Sequence, residues 1–213
     1  MKKKSLEERL EKFNQIGIYP VISPDFCAEK DPIFILQEIL KGGAKIVQLR
    51  DKKNPEQYVL EFRKLTNKYN ALLIINDSVD IALKYNADGV HLGQEDMPLI
   101  DARKIAPNLL IGVSTHNLKE ALFAQENGAS YVNIGPIFPT KTKDKLSGFL
   151  GVTAIKEISS HLIIPFTVMG GINKNNIDQI LESGAKKIAM VTGITHAYDI
   201  KKTVKTLIEK IKP

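Results

Sequence analysis

Several short groups of residues in this sequence are suited to binding anions, and the longest of them spans residues 135 to 148. This stretch contains two prolines, two threonines, three lysines and two glycines, so it is predicted to form a loop. Threonine hydroxyls, lysine ammonium groups and backbone N–H groups beside glycine are good partners for phosphate oxygens. The composition therefore fits either a phosphate-binding loop or a solvated, lysine-rich turn.

Two other groups extend this anion-binding chemistry. Arg50 and Lys52 occupy alternate positions, which would point both side chains to the same side of an extended strand end. Together with Lys143 they could bind a pyrophosphate. Further along, the pair Gly170-Gly171 precedes a predicted helix. That arrangement fits either an anion site at a helix N-terminus or a simple tight turn.

Two carboxylates could add a metal ion to these anion sites. Asp77 and Asp96 each follow a short apolar run, and the two runs are predicted to be neighbouring strands. Carboxylate oxygens, together with water and substrate phosphate, are the usual surroundings of Mg²⁺. The alternative is that each aspartate caps a helix, because both precede predicted helices. No cluster of cysteine and histidine suggests zinc.

The elements that must position these residues alternate regularly along the chain. Short apolar runs rich in β-branched residues predict eight strands, separated by stretches whose apolar residues recur at helical spacing. The predicted strands are residues 18–22, 45–49, 72–75, 89–92, 109–113, 131–134, 165–169 and 187–191.

Helix boundaries are also marked in the sequence. Asp31-Pro32 and Asn54-Pro55 each place a capping side chain before a proline at the first helical position, and Asn173 is predicted to cap a later helix. Four predicted helices end at a pair whose first residue tolerates a left-handed conformation. These pairs are Gly43-Ala44, Asn86-Ala87, Gly128-Ala129 and Gly184-Ala185.

Eight strand-and-helix units in 213 residues give about 26 residues per unit, which favours a single (βα)₈ TIM-barrel domain over residues 1–213. An open, doubly wound sheet is the alternative. Residues 1–15, with Leu6, Leu10 and Phe13 on one helical face, are predicted to form an extra helix packed on the barrel. In such barrels the ends of the strands build the active site, so the polar groups above are expected to converge on one mouth.

Composition narrows the class of protein. A hydrophobic share of 43% and a charged share of 25% are ordinary for a globular domain, and the lone Cys27 cannot form an internal disulfide. The basic start of the chain runs into charged residues, unlike a signal peptide, and no stretch is long enough to span a membrane. We therefore expect a cytoplasmic protein without a membrane partner. The net charge is +6, but the sequence lacks the motifs of a nucleic-acid binder.

Taken together, six motifs resemble the thiamine-phosphate synthase (thiamine phosphate pyrophosphorylase) family, in order and over nearly the whole chain after residue 16. The motifs are VQLRDK at 47–52, IND at 75–77, GVHLGQEDMP at 89–98, GVSTHN at 112–117, YVNIGPIFPTKTK at 131–143 and GGI at 170–172.

The resemblance implies a TIM barrel that joins 4-amino-2-methyl-5-(diphosphooxymethyl)pyrimidine to 4-methyl-5-(2-phosphooxyethyl)thiazole and releases pyrophosphate. In this family the pyrimidine is thought to leave as a cation before the thiazole nitrogen attacks. The resemblance places Mg²⁺ on Asp77 and Asp96. It assigns catalysis to Arg50, Lys52, Lys143 and Ser114. The implied pyrimidine diphosphate ligands are Gln48, Arg50, Lys52, Asn76, Ser114 and Lys143, and the implied thiazole phosphate ligands are Thr140, Thr142, Gly171, Val191 and Thr192.

Departures from the family pattern are small. Asp51 stands where we expect Glu, Thr192 where we expect Ser, and Met169 where a smaller aliphatic residue is usual. Asp51 is predicted to point away from the site, whereas the Thr192 methyl would tighten the thiazole pocket. His91 and His116 are interpreted as hydrogen-bonded structural residues.

Two rival functions remain for a barrel of this kind. A thiazole tautomerase relative tends to lack the metal carboxylates and carries His where this chain has Pro136. A non-catalytic barrel that binds thiamine phosphates would need no pyrophosphate and Mg²⁺ site. Small-molecule substrates are the expected partners, a homo-oligomer is left open, and the loop at 135–148 is predicted to close as a lid.

Overall fold

The computed structural model describes residues 4–140 and 148–211, and its centre is a closed barrel of eight parallel strands. Each strand pairs with the next along the chain, and the last pairs with the first. The predicted TIM barrel is confirmed and the open sheet is wrong. The strands are β1 (Ile18–Ile22), β2 (Ile46–Leu49), β3 (Leu72–Asn76), β4 (Gly89–Leu92), β5 (Leu110–Thr115), β6 (Tyr131–Ile134), β7 (Phe166–Val168) and β8 (Ile188–Met190).

Helices surround the barrel and connect its strands. One helix precedes the barrel, as predicted, and the chain enters four of the strands through left-handed residues at the predicted positions: Gly43, Asn86, Gly128 and Gly184 have φ of 102°, 52°, 88° and 89°. The helices are α1 (Leu6–Asn14), α2 (Pro32–Lys41), α3 (Val59–Lys68), α4 (Val79–Lys84), α5 (Leu99–Ile105), α6 (Leu118–Glu126), α7 (Thr153–Ser159), α8 (Ile177–Glu182), α9 (Thr192–Thr195) and α10 (Ile200–Ile211).

One of the three predicted helix caps is confirmed and two are wrong. Asp31 caps α2 by accepting hydrogen bonds from two backbone N–H groups of its first turn. Asn54-Pro55 does not start α3, because Gln57 N donates to Asn54 O at 3.1 Å and Val59 N to Glu56 O at 3.4 Å. These bonds span three residues, so the segment forms tight turns and the helix begins only afterwards.

The cap predicted at Asn173 fails for a similar reason. Its side-chain oxygen accepts from Asn175 N at 2.9 Å, which closes a turn, and α8 begins four residues later with Asn176 as its N-cap. The Gly170-Gly171 pair therefore leads into a turn and does not run straight into a helix N-terminus.

The N-terminal end of the barrel is filled by aromatic side chains, which we call the bottom cluster: Phe13, Tyr19 and Tyr131. Helix α1 inserts Phe13, whose ring stacks on Tyr131 at 4.3 Å between centroids and meets Tyr19 edge-on at 6.4 Å. All three side chains are almost completely buried. Gly112 makes room for the cluster, because a Cβ there would overlap the Tyr131 ring. The barrel is therefore closed at this end.

The remaining apolar core lies between the strands and the surrounding helices. It is built mainly from Ile, Leu, Val and Ala, with β1, β3 and β4 packing against α2, α3 and α4 respectively. Cys27 belongs to this core as a buried thiol that donates to Ser23 O at 3.1 Å. Within the described ranges, no helix combines the length and the apolar character that crossing a membrane requires.

Candidate functional site

A cavity opens at the C-terminal ends of the strands, opposite the bottom cluster. Most of the side chains singled out in the sequence line it, although they come from different strands. Nine predicted site residues do so: Gln48, Arg50, Lys52, Asn76, Asp77, Asp96, Ser114, Thr140 and Val191. Gly171 and Thr192 do not line it but directly follow lining residues, and Thr142 and Lys143 lie outside the described residues.

The two cations after β2 face this cavity together. Arg50 continues the strand, with its N–H donating to Ile22 O at 2.8 Å. Lys52 places its Nζ 3.5 Å from Asp77 Oδ2, with more than half of its side chain exposed. Asp51, between them, turns away and accepts from Lys53 N and Asn54 N at 3.0 Å each. The alternation of the extended chain therefore delivers two positive charges to one side.

The two carboxylates meet on the neighbouring wall. Asp77 follows β3 in a left-handed conformation with φ of 63°. Burial, followed by the adjacent Asp96 carboxyl, raises the pKa of Asp77 to about 6, while Lys52 and Arg50 oppose the shift. A carboxyl group that raises the pKa of its neighbour in this way is close enough to it for the two to share one cation.

Neither aspartate caps a helix, so the alternative role for them is wrong. Ser78 caps α4 by accepting from Ile81 N at 3.4 Å, and the N-cap of α5 is Pro98. Asp96 accepts from Gly93 N at 2.6 Å, which fixes its carboxylate over the cavity rim.

The donor set of this wall fits a magnesium ion better than a metal held by protein alone. In the described part of the chain, no three His, Cys, Asp or Glu side chains are grouped as metal ligands. Mg²⁺ keeps several water ligands and is commonly bound by one or two carboxylates plus substrate phosphate. Asp77 and Asp96, beside Arg50 and Lys52, provide that combination.

A chain of hydrogen bonds links the cavity to the bottom cluster. Gln48 Nε2 donates to Tyr19 OH at 3.0 Å, and Tyr19 OH lies 3.0 Å from Tyr131 OH. Tyr131 OH is 3.2 Å from His91 Nδ1, and His91 Nε2 is 2.9 Å from Ser114 Oγ. The interpretation of His91 as a hydrogen-bonded residue is confirmed, and its ring orients Ser114 in the cavity wall.

The loops after β6 and β7 pack closely against each other on the far side of the cavity. Gly171 has φ of 63°, and a Cβ at this position would overlap Pro139 O. The backbone bond from Phe138 N to Gly170 O at 3.0 Å joins the same loops. This contact holds Thr140 at the cavity. The Gly170-Gly171 pair thus acts through the neighbouring loop.

Several lining residues were not predicted from the sequence as site residues. Asn133 is the clearest example, because it is a buried polar residue in an otherwise apolar strand, and it accepts from Thr167 Oγ1 at 2.9 Å. A polar residue inside β6 was a readable signal of an inward-facing position. His116 also lines the cavity, held by Glu120 Oε2 at 2.9 Å from its Nδ1. Val21 and Phe26 also line the cavity without having been singled out, whereas the lining residues Gly93, Gly135, Pro136, Met169 and Gly170 belong to stretches named in the sequence.

Comparison with known proteins agrees with the motifs. Residues 18–194 match the family model described as thiamine monophosphate synthase. The thiamine-phosphate synthase of Shouchella clausii is 40% identical over 90% of this chain and 94% of its own, and that of Pyrococcus abyssi is 43% identical over 84% and 87%. The solved structure of thiamine phosphate pyrophosphorylase from Pyrococcus furiosus superimposes with a TM-score of 0.84 and 35% identity, over 94% of this chain and 98% of that chain.

Proposed function

Because the chain belongs to the thiamine monophosphate synthase family, we propose that it transfers the 4-amino-2-methylpyrimidin-5-ylmethyl group from its diphosphate to the thiazole phosphate. The products are thiamine phosphate and pyrophosphate. The observation that carries this proposal is the cavity wall where Arg50 and Lys52 lie beside the paired carboxylates of Asp77 and Asp96. A diphosphate with a divalent cation is the ligand whose charges match both halves of that wall.

The pyrimidine diphosphate is assigned to the side of the cavity formed by β2 to β5. Arg50 and Lys52 bind its phosphate oxygens, and Gln48, Asn76 and Ser114 orient the rest of the molecule by hydrogen bonds. The fixed positions of Gln48 and Ser114 in the hydrogen-bond chain support these roles. Preset donors stabilise developing charge without reorganisation during the reaction.

Asp77 and Asp96 are assigned to Mg²⁺, which when bound offsets the negative charge of the departing pyrophosphate. Lys52, whose Nζ lies 3.5 Å from Asp77 Oδ2, is assigned to bind the same leaving group. The thiazole phosphate is assigned to the opposite side, formed by Thr140 and the backbone near Gly171, Val191 and Thr192. Thr142 and Lys143, which lie outside the described residues, keep the roles that the resemblance implies. The lid is proposed from the position of the loop between the two anions, and it too falls largely outside the described residues.

The proposed reaction breaks one bond and forms another without a catalytic base. The C–O bond to the diphosphate breaks first, and pyrophosphate leaves with the electron pair, so the pyrimidine methylene becomes cationic. The thiazole ring nitrogen then forms the C–N bond with its lone pair. That nitrogen carries no proton, so none has to be removed. The chain's contribution is to bind the leaving group, align the two rings and exclude water.

The test uses the purified protein with both substrates and Mg²⁺, with thiamine phosphate and pyrophosphate measured in parallel. We expect the two products in equal amounts and their loss on addition of EDTA. Binding of thiamine phosphate without turnover would favour a product-binding barrel instead. Conversion of the thiazole alone between its isomers would favour a tautomerase.

A further inference from the structure

One ionisable side chain at the mouth has no part in the reaction proposed above. His116 follows β5, lines the cavity, and has 31% of its side chain exposed. Its hydrogen bond to Glu120 accounts for one of the two ring nitrogens, Nδ1. The structural interpretation of this histidine therefore leaves Nε2 without a role.

The carboxylate of Glu120 sets the orientation of the His116 ring. It accepts from the backbone N–H of His116 at 2.8 Å and from Asn117 Nδ2 at 2.7 Å, so its position on α6 does not depend on the ring. Burial would raise the pKa of Glu120, but hydrogen bonds from His116 and Asn117 outweigh this effect, and its pKa lies below the ordinary value. An ionised carboxylate only accepts hydrogen bonds, so Nδ1 carries a proton.

The other ring nitrogen of His116 is open to a ligand. Within the described residues, Nε2 makes no hydrogen bond, and it is not one of the buried polar atoms that lack a partner. It is therefore accessible to solvent. Because Nδ1 faces α6, Nε2 is the polar atom of the ring that can be offered to the cavity.

His116 lies beside the wall that carries the two carboxylates. Gln94 Nε2 donates to Ser114 O at 2.6 Å, which joins the loop after β4 to the end of β5. Asp96 belongs to the first of these segments and His116 follows the second, whereas both cations of the wall come from β2. Among the described lining residues that follow β4 along the chain, His116 is the only one whose side chain can carry a positive charge.

We propose that His116 is a binding residue for the diphosphate, whose leaving pyrophosphate accepts a hydrogen bond from Nε2–H of the protonated ring. Glu120 is its positioning residue. This inference rests on the proposed function, because the diphosphate is the ligand assigned to this wall. A charge-assisted hydrogen bond becomes stronger as negative charge collects on the leaving group. The carboxylate pair then has positive charge on both sides, from β2 and from β5, and no proton has to be transferred.

The first test is the ¹⁵N NMR spectrum of the histidine rings in the presence of pyrophosphate and Mg²⁺ near neutral pH. The chain has four histidines, so the His116 signals can be assigned by their loss in a His116→Asn variant. With saturating pyrophosphate, we expect both ring nitrogens of His116 to show the chemical shifts of a protonated imidazole. An Nε2 that stays unprotonated in the complex would overturn the inference.

Two amide substitutions separate ligand binding from a structural role. Asparagine places its amide where Nδ1 lies, so His116→Asn can keep the bond to Glu120 without reaching the ligand. Glutamine places its amide where Nε2 lies, so His116→Gln can still donate to the ligand. Pyrophosphate should bind about tenfold more weakly to His116→Asn, as expected for loss of a hydrogen bond between charged groups, and His116→Gln should recover most of the affinity. Binding by His116→Asn that is as tight as that of His116→Gln would show a structural role only.

The role of Glu120 has a matched control on the same helix. Glu120→Gln removes the charge that stabilises the protonated ring and should weaken pyrophosphate binding several-fold. Glu126→Gln makes the same change of charge at an exposed position of α6 and should have no effect. Equal binding by these two variants would remove Glu120 from the positioning role.

Steady-state kinetics with both substrates separate this inference from the proposed function. In His116→Asn, turnover should fall about tenfold, while KM for the thiazole phosphate stays unchanged, because that substrate is assigned to the opposite side of the cavity. A raised KM for the thiazole phosphate with unchanged pyrophosphate binding would overturn the inference. Pyrophosphate binding with the expected histidine signals but without turnover would refute the proposed function alone, and the absence of pyrophosphate binding would refute both.

Discussion

Two carboxylates at opposite ends of the β3–β4 pair have opposite electrostatic environments. Asp77 follows β3 at the mouth, where burial and the adjacent Asp96 raise its pKa to about 6. Asp88 precedes β4 at the other end and is even more buried. Burial works to raise the pKa of Asp88, but Arg63, Lys4 and the N–H of Leu73 outweigh it, so its pKa lies below the ordinary value.

The comparison distinguishes Asp88, whose charge contributes to stability, from Asp77 and Asp96, whose proposed role is to bind a ligand. At the lower end the carboxylate is neutralised within the fold. At the mouth two carboxylates face each other with only a partly exposed lysine and an arginine nearby. A carboxylate pair that the protein's own cations balance only in part is consistent with the proposed cation site. Three substitutions test this comparison.

The largest effect is expected for Asp77→Asn. Asparagine tolerates the left-handed conformation at this position, so the variant removes charge without straining the backbone. If the pair holds Mg²⁺, turnover should fall about 10³-fold or more, which corresponds to about 4 kcal/mol of transition-state stabilisation. The melting temperature should be unchanged or higher, because two like charges no longer face each other.

The matched control for that substitution is Asp51→Asn. Asp51 turns away from the cavity, and the amide oxygen of asparagine can still accept the same backbone bonds. Its turnover should equal that of the original chain. Near-normal turnover in Asp77→Asn, with the Mg²⁺ dependence intact, would remove Asp77 from the metal site.

The next effect should be on stability alone. Asp88→Asn leaves buried cations without their partner, which costs about 3 kcal/mol in the free energy of unfolding. Turnover measured well below the melting temperature should be unchanged, because Asp88 does not line the mouth. Asp101→Asn breaks an exposed ion pair with Lys104 and should cost no more than about 0.5 kcal/mol.

The original chain and Asp88→Asn should also differ in how their stability depends on pH, and the sign of that difference can be worked out. The lowered pKa of Asp88 means that its contribution to stability is fully present above the ordinary carboxyl value of 3.8 and is lost as the pH falls through the lower folded-state value. In urea unfolding from pH 7 down to pH 3, the advantage of the original chain over Asp88→Asn should be constant at first and shrink in acid. A difference that grew in acid would contradict the assignment.

The smallest effect is expected for a substitution in the hydrogen-bond chain that connects the two ends of the barrel. Tyr131→Phe removes the hydroxyl that links Tyr19 to His91 and should cost about 1 kcal/mol of stability. Because His91 positions Ser114, turnover should also fall, but by less than about tenfold. Tyr198→Phe, on a fully exposed ring, is the control. A loss as large as that of Asp77→Asn would mean that the hydrogen-bond chain takes part in the chemistry directly.

Much of the fold could be predicted from the sequence because its signals are local. Buried β-branched runs placed all eight strands to within two residues, and left-handed Gly or Asn residues marked the entry to four of them. Helix starts were harder to predict, since at α3 and α8 short turns with three-residue hydrogen bonds replaced the first helical turn. The side chains after the strands converge because parallel strands end on one edge. Asn133 was missed, although a polar residue inside the otherwise apolar β6 was a readable signal of an inward-facing position.

The cluster of charged side chains around Asp88, at the N-terminal end of the barrel, could not be predicted from the sequence. Arg9, Arg63 and Asp88 belong to three different elements, and each sits in a segment that reads as an ordinary charged surface. Only the closed barrel brings them together. Contacts between residues so distant in sequence follow from topology, not from any local pattern.

The bottom cluster has a consequence for the order of events during turnover. With Phe13, Tyr19 and Tyr131 filling one end, the described residues leave the cavity open only at the mouth, and each molecule that enters there must depart by the same route. The product that lies deeper in the cavity can leave only after the other product has left. Inhibition patterns by the two products therefore report which of them sits at the entrance.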